Sequence, residues 1–250
     1  MIKGFKCPID NNPKEFHECL KCALEGAPCG MDYAVLKGMI EDLKKEKAIS
    51  VTSIISCLRK IVWYQTREIY VDPQSQYFLF RGQVFHRFLA EVIQDEAQVE
   101  IEWKKELQGF VVIGHPDIYY PRTKWLKDYK TTISVPKGIY PHHGLQINLY
   151  RMIGPEVNRL SLVYLSMKGI KEVNVPLLDI NMLESYSLNR IELLKEFLLD
   201  GNLPPATIFE WECRYCPFAS ECNNPEGIET PTSIEPEELE DFFITYFLGR

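Results

Sequence analysis

The sequence has no run of about 18 consecutive apolar residues, so it predicts no membrane-spanning helix. Its first residues lack the apolar stretch of a secretory signal. It also lacks a glycine-rich dinucleotide-binding loop, which argues against a redox enzyme that uses a second cofactor. These absences predict a cytoplasmic protein with no membrane partner, and 250 residues are enough to bury a full core.

The acidic charge is unevenly distributed. The formal net charge is −7, and the segment from Asn223 to the end carries −6 of it, which leaves −1 for the preceding 222 residues. The segment from Pro121 to Lys137 carries a local +4. Because local patches decide whether phosphate can be held, the net charge does not exclude a nucleic-acid partner.

The eight cysteines form two clusters and one outlier. The cluster at the start of the chain consists of Cys7, Cys19, Cys22 and Cys29. The cluster near its end consists of Cys213, Cys216 and Cys222, and Cys57 stands alone. In an intracellular protein, this clustering favours metal binding over disulfides.

The hydrophobic pattern predicts an α/β fold with a mixed central sheet flanked by helices. Helices are expected at 33–47, 52–67 (N-capped by Thr52 or Ser53), 80–93, 140–152 and 180–200, and strands at 99–107, 109–120, 125–132, 158–166 and 172–176. A linker at 225–236 leads to a short acidic-aromatic helix that ends at Leu248. We therefore expect a loop-rich, cysteine-rich metal-binding appendage (1–32), a core (33–223) and an acidic tail (224–250).

The most informative stretch runs from Gly114 to Lys130 and predicts a β-hairpin. If its two arms fold symmetrically about Arg122 and Thr123, Asp117 lies opposite Asp128, with Cβ atoms roughly 5 Å apart. Lys130 shares a face with Asp128, because side chains alternate along a strand. The alternative is a solvated hairpin with ordinary surface charges, but charged residues in an otherwise apolar strand need a reason.

Two facing carboxylates repel unless a cation lies between them, and a hard divalent ion with oxygen ligands meets that need. Such an ion polarises a phosphodiester and acidifies a bound water, while Lys130 orients the water and offsets developing charge. The hairpin therefore predicts metal-dependent phosphodiester hydrolysis by Asp117, Asp128 and Lys130.

Three further side chains are candidates for the same site. His86 lies beside the stripe of Phe85, Leu89 and Val92 on the helix at 80–93, and is either a core histidine or a third metal ligand. Gln146 and Tyr150 share one helix face, as a surface pair or as a substrate clamp.

These motifs, in their order, resemble the RecB-like nucleases of the PD-(D/E)xK superfamily. The fourth family of CRISPR-associated (Cas) proteins is the most similar, over roughly residues 50–225. The resemblance implies a restriction-endonuclease-like core, Mg²⁺ or Mn²⁺ held by His86, Asp117, Asp128 and the carbonyl of Tyr129, and catalysis by Lys130 with help from Gln146 and Tyr150. It also implies exonuclease activity on single-stranded DNA, often 5′ to 3′, and partnership with the CRISPR integrase in spacer acquisition. The cysteines before residue 30 and the acidic tail depart from the family pattern.

The two cysteine clusters leave alternatives open. Spacing alone fits either zinc or an iron–sulfur cluster at Cys57, Cys213, Cys216 and Cys222, and the resemblance implies [4Fe–4S] in a C-terminal iron–sulfur segment. We predict zinc at the N-terminal cluster, with His17 as a substitute ligand, against free or disulfide-bonded cysteines.

Single-stranded DNA needs basic and aromatic side chains on one surface. Candidates from the sequence are Arg59, Lys60, Arg67, Lys124, Lys127 and Lys137, with Trp63, Tyr64, Trp125 and Tyr140. For each, the alternative is surface charge or core packing. The tail at 235–248 either docks on its own chain or binds a partner. The alternative function is a non-catalytic iron–sulfur module that binds nucleic acid within an integrase assembly.

Overall fold

The structure is a computed structural model. It describes residues 2–43, 49–93, 95–207, 209–222 and 229–248, with nothing said of the Glu210 side chain. Within these ranges the helices are α1 (Phe16–Leu24), α2 (Tyr33–Leu43), α3 (Val51–Ile55), α4 (Leu58–Thr66), α5 (Pro73–Ile93), α6 (Pro141–Ile153), α7 (Ile180–Asp200), α8 (Glu210–Arg214), α9 (Ala219–Cys222) and α10 (Leu239–Phe243).

The described strands are β1 (Ile2–Lys6), β2 (Pro13–Glu15), β3 (Ile69–Val71), β4 (Gln98–Val99), β5 (Trp103–Leu107), β6 (Phe110–Gly114), β7 (Ile118–Tyr120), β8 (Trp125–Thr131), β9 (Arg159–Ser166) and β10 (Gly169–Val175). The main sheet has the order β10-β9-β8-β7-β4, with β8 and β9 parallel and the other neighbours antiparallel. The predicted α/β class with a mixed sheet flanked by helices is therefore confirmed.

Strand β9 lies inside this sheet, between β10 and β8, and its residues Leu160 to Tyr164 are all buried. A strand covered on both faces carries a near-continuous apolar run, and the run in β9 is interrupted only by Ser161. Helix α6 packs against β8 and β9 and carries a long run of buried residues, and α7 packs on α6. The main core therefore lies between the sheet and these two helices.

The predicted helix at 180–200 is confirmed at both ends. The Asp179 side chain accepts hydrogen bonds from the amides of Asn181 and Met182, which satisfies donors in the first turn. Gly201 ends the helix in the left-handed conformation at φ 72°, which glycine adopts without steric cost.

The predicted continuous helix at 52–67 is wrong, because the chain breaks at Ser56 and Cys57 into α3 and α4. The predicted N-caps are also wrong: Ser50 caps α3 by accepting from the amide of Ser53. The break places Cys57 at the N-terminal end of α4, with its amide bonded to a buried carboxylate, Glu212 Oε1, at 2.8 Å.

The N-terminal segment has more regular structure than the loop-rich appendage that the sequence predicts. Strand β1 pairs antiparallel with β2 and parallel with β3, far along the chain. Phe5 is buried in a second core cluster with Leu36, Leu58 and Trp63. The last predicted turn of the helix at 33–47 lies outside the described residues.

The acidic tail docks on the body of its own chain, which confirms the simpler of its two interpretations. Ile234 pairs with Ile139 in an isolated bridge. Beyond a 3₁₀ turn (Pro236–Glu238), helix α10 buries Leu239, Phe242 and Phe243 in the main core, and a π-helical turn (Ile244–Leu248) follows. Part of the predicted linker, 225–228, lies outside the described residues.

Candidate active site

The hairpin β7–β8 has the predicted register. Ile118 pairs with Lys127, Tyr119 with Leu126 and Tyr120 with Trp125, around a turn at 121–124. Asp117 directly precedes Ile118, the first paired residue of β7. Asp128 directly follows Lys127, which is the partner of Ile118 on β8. Both carboxylates are buried, with exposures of 7% and 1%.

Asp117 is held by three contacts. Its Oδ2 accepts a hydrogen bond from the Tyr129 amide at 2.6 Å, and its Oδ1 lies 3.1 Å from His86 Nδ1. Its carbonyl accepts from the Glu100 amide at 3.1 Å. The carboxylate therefore has a fixed orientation towards α5 and β8.

The structure places His86 beside Asp117. Besides its contact with Asp117, its Nε2 lies 2.8 Å from the carbonyl oxygen of Tyr129. Burial lowers the pKa of His86, but the hydrogen bond and the charge of Asp117 outweigh it, so the pKa is raised. Both ring nitrogens face acceptors, which fits an imidazolium. A metal bound by His86 would displace that proton, because a histidine ligand is neutral.

Glu100 was not predicted and completes the group. One potential ligand atom from each of His86, Glu100 and Asp117 lies within 4.8 Å of the other two. Burial and the charge of Asp117 raise the pKa of Glu100. Spacing gives no signal for this residue, which follows β4 with a left-handed φ of 48°. The three residues offer a nitrogen and two oxygens to a cation.

Asp128 and Lys130 share a face of β8, as predicted. Lys130 Nζ lies 2.7 Å from Asp128 Oδ2, yet this oxygen receives no well-directed hydrogen bond from the described residues. The short distance shows an ion pair whose angles are poor for a hydrogen bond. Because an unsatisfied buried carboxylate oxygen is costly, this atom is suited to coordinate a cation.

Burial raises the pKa of Asp128 from 3.8 to about 6, and the neighbouring charge of Asp117 adds to the shift, while Lys130 opposes it. The two carboxylates therefore repel as the sequence predicts, and Lys130 offsets only part of the cost. A divalent cation held by both carboxylates would offset the remainder.

Gln146 and Tyr150 reach the site from α6. Gln146 Oε1 accepts from Lys130 Nζ at 2.9 Å, and its Nε2 lies 2.9 Å from the Tyr150 hydroxyl and 3.2 Å from Thr52 Oγ1. Gln146 thus orients Lys130. Thr52, considered in the sequence only as a helix cap, is a member of this network. The Gly114 backbone allows the close approach, since a Cβ there would lie 2.7 Å from the Tyr150 ring.

Cys57, Cys213, Cys216 and Cys222 come together, although about 155 residues separate the first two. All four line one cavity of about 190 Å³. Arg59 and Lys60 line the same cavity, and Arg59 Nη1 lies 3.5 Å from Cys222 Sγ. A cavity of about 150 Å³ already holds a benzene-sized group, so this one is far larger than a single ion requires.

The four N-terminal cysteines also lie near one another. Burial raises the pKa of Cys19 to about 11, and the thiolate charges of Cys7, Cys22 and Cys29 contribute. His17 instead lies 3.2 Å from Glu15 and is exposed. No three sulfur atoms of either cysteine set lie within 4.8 Å of one another in the described structure, so neither set has the geometry of a bound zinc ion as it stands.

Most of the basic and aromatic side chains considered for DNA binding form ion pairs or pack on other side chains in the described structure. Their partners are within the chain: Lys60 pairs with Glu212, Arg67 with Glu221, Lys124 with Glu156 and Lys127 with Glu172. Trp63 is buried, Tyr64 packs on Phe218, Trp125 lies under Lys127 and Arg159, and Tyr140 packs on Tyr164. Arg59 donates to the Pro204 carbonyl. These contacts agree with the alternative of surface charge and core packing, and DNA binding by these residues stays a prediction.

The stripe of Phe85, Leu89 and Val92 is also not a core stripe. Phe85 is 45% exposed and Val92 is 62% exposed. The face of α5 that carries them points to solvent.

Comparisons with known proteins agree with the fold. No family model matches the chain. The chain is 24% identical over 200 residues to the CRISPR-associated exonuclease Cas4 of Saccharolobus solfataricus, a match that covers 75% of this chain and 93% of the relative. The crystal structure of SSO0001 superposes with a TM-score of 0.58 at 24% identity, covering 77% of this chain and 95% of that one.

The structural match defines the class: an α/β fold with a mixed sheet, shared over nearly the whole length of the solved protein. The relative from Saccharolobus solfataricus then indicates a particular family within this class. The resemblance to RecB-like nucleases of the fourth CRISPR-associated family is confirmed. Within the described ranges, no helix combines the length and apolar composition needed to cross a bilayer.

Proposed function

We propose that this protein is a metal-dependent deoxyribonuclease, an exonuclease that acts on single-stranded DNA and prepares DNA for CRISPR spacer acquisition. One observation carries the proposal: a buried carboxylate, Asp128, has an oxygen that receives no well-directed hydrogen bond from the described part of the chain, beside Asp117, His86 and a lysine. The relative named an exonuclease supports it. The single-stranded substrate, the 5′ to 3′ direction and the CRISPR integrase as partner follow from the family resemblance.

The donor set fits Mg²⁺ or Mn²⁺. Asp117, Asp128 and the Tyr129 carbonyl supply hard oxygens, and His86 supplies a nitrogen that Mn²⁺ accepts more readily than Mg²⁺. Glu100 is close enough to be a further ligand. When bound, the ion polarises the phosphodiester and acidifies a water molecule.

The chain's own residues do the positioning. Lys130 holds its ammonium beside Asp128, where it orients the attacking water and offsets charge on the phosphate. Gln146 fixes Lys130, and Tyr150 and Thr52 fix Gln146. Gln146 and Tyr150 are buried and Lys130 is partly buried, so this part of the network is preorganised and needs little rearrangement during the reaction.

We propose further that Cys57, Cys213, Cys216 and Cys222 hold a [4Fe–4S] cluster. The size of the shared cavity supports a cluster over a single zinc ion. The adjacent Arg59, 3.5 Å from Cys222 Sγ, would offset part of the negative charge of four thiolates. Anaerobically purified protein is expected to be brown, with absorption near roughly 400 nm. Cys213→Ser is expected to remove that absorption and most of the iron, while Cys22→Ser keeps both. Unchanged iron in Cys213→Ser would reject these ligands.

The N-terminal cysteines are proposed as a zinc site. Their proximity supports it, and rotation of the side chains is needed to bring four sulfurs about 2.3 Å from one ion. We retain the division into a metal-binding segment (1–32), a nuclease core with the cluster (33–223) and a tail (224–250).

Digestion of end-labelled DNA tests the proposed activity. Wild-type protein is expected to shorten single strands with Mn²⁺ and to leave double strands largely intact, and Asp128→Ala is expected to lose cleavage. Equal cleavage by Asp128→Ala would reject the site. Binding of single strands without cleavage under Mg²⁺, Mn²⁺ or Co²⁺ would favour the non-catalytic module instead.

A further inference from the structure

One face of α5 is apolar, aromatic and exposed. Tyr77, Phe85 and Phe88 are 37%, 45% and 62% exposed. At 100° per residue these three fall on one side of the helix, together with Arg81 and Val84. We call these five residues the α5 aromatic face. Contiguous exposed apolar surface of this kind marks an interaction site.

The flanks of α5 fix the direction of this face. On one flank, Phe80 packs closely over Gly38 of α2, and Arg87 lies 3.5 Å from Asp42. On the other flank, Gly82 approaches Thr131 of β8, and His86 points into the candidate metal site. The α5 aromatic face therefore points outward and runs beside the site.

The chemistry of the face favours a nucleic acid. Three of its five members have aromatic rings: Tyr77, Phe85 and Phe88. A fourth ring, that of Phe78, lies next to the face, with the Arg81 guanidinium 5.6 Å from its centroid. Residues 73–90 contain no acidic side chain. Rings of this kind stack on bases of any sequence, and a guanidinium adds a cation for the phosphate backbone.

We propose that the α5 aromatic face is a stacking platform along which single-stranded DNA reaches the metal site. The proposal rests on the proposed nuclease function and adds the path of its substrate. From Tyr77 to Phe88 the helix spans about 16 Å. At about 3.4 Å per stacked nucleotide, the platform holds about five nucleotides.

Binding is measured separately from cleavage. A 5′-fluorescein (dT)₁₅ strand is titrated in EDTA against Asp128→Ala protein, and its anisotropy gives Kd. Two paired variants are made on this background, Phe85→Ala/Phe88→Ala and Phe85→Leu/Phe88→Leu. Leu199→Ala, at an 82% exposed position on α7, is the matched control. All substituted side chains are exposed, and circular dichroism checks the fold.

The alanine pair is expected to weaken binding at least tenfold, because each lost ring removes base stacking. The leucine pair is expected to weaken it nearly as much, since leucine is apolar but has no ring face. Leu199→Ala is expected to change Kd less than twofold.

Two results would overturn the proposal. One is an unchanged Kd for the alanine pair; if that pair also converted an oligomer into a monomer, the face would belong to a contact between copies of this chain. The other is wild-type affinity in the leucine pair. If wild-type protein cut no DNA with Mn²⁺ while binding stayed ring-dependent, the nuclease function would fail and the platform would stand.

Discussion

Replacing Asp128 by Asn should change how the stability of the metal-free protein depends on pH. Burial and Asp117 raise the pKa of Asp128 from 3.8 to about 6, so the folded state holds its proton more tightly than the unfolded state. The resulting cost is absent well below pH 3.8, grows as the pH rises and levels off above pH 6. Integrating between pH 4.5 and pH 8 gives a destabilisation of about 2 kcal/mol. Asparagine has the same shape and no titration, so the variant lacks this loss.

The assay is urea unfolding in EDTA at both pH values. The difference in unfolding free energy, Asp128→Asn minus wild type, should increase by about 2 kcal/mol from pH 4.5 to pH 8. The ion pair with Lys130 forms as Asp128 ionises, and its effect is already contained in the pKa of about 6, so it adds no separate contribution. Adding Mn²⁺ at pH 8 should then stabilise the wild type far more than the variant. Parallel pH profiles for the two proteins would refute the account of Asp128.

Two further predictions concern packing around the site. Phe243→Ala should lower the unfolding free energy by about 3–5 kcal/mol, because this ring of the tail is only 1% exposed; Leu199→Ala is the surface control, and an equal small effect of both would show that the tail is not part of the core. Gly114→Ala should cost about 1–3 kcal/mol in thermal unfolding and reduce cleavage, because its Cβ would press on Tyr150 at 2.7 Å; unchanged stability would contradict the close packing.

The site hairpin was predictable because its determinants are local. A turn around Arg122 and Thr123 fixes which residues pair, and strand alternation then decides which side chains share a face. The pairing of Ile118 with Lys127 confirms that register. Helix α7 was predictable for the same reason, since Asp179 and Gly201 mark its ends within the sequence itself.

Features set by distant contacts could not be predicted. The break at Cys57 is matched by Glu212, 155 residues away, which accepts from its amide. Glu100 enters the site because its amide bonds the Asp117 carbonyl, and no spacing rule indicates this. The same limit applies to α5: Phe85 has the period of a core residue, but only the tertiary packing shows that it is 45% exposed.

Separating metal binding from chemistry tests the central claim most directly. Mn²⁺ binding is measured by electron paramagnetic resonance, and single-turnover cleavage of labelled single-stranded DNA is measured in parallel, for wild type, Lys130→Met and Asp128→Asn. We predict that Lys130→Met binds Mn²⁺ and loses cleavage by about 100-fold or more, as expected when an electrostatic stabiliser is removed. Asp128→Asn should lose both. Wild-type cleavage by Lys130→Met, or wild-type Mn²⁺ binding and cleavage by Asp128→Asn, would contradict the account.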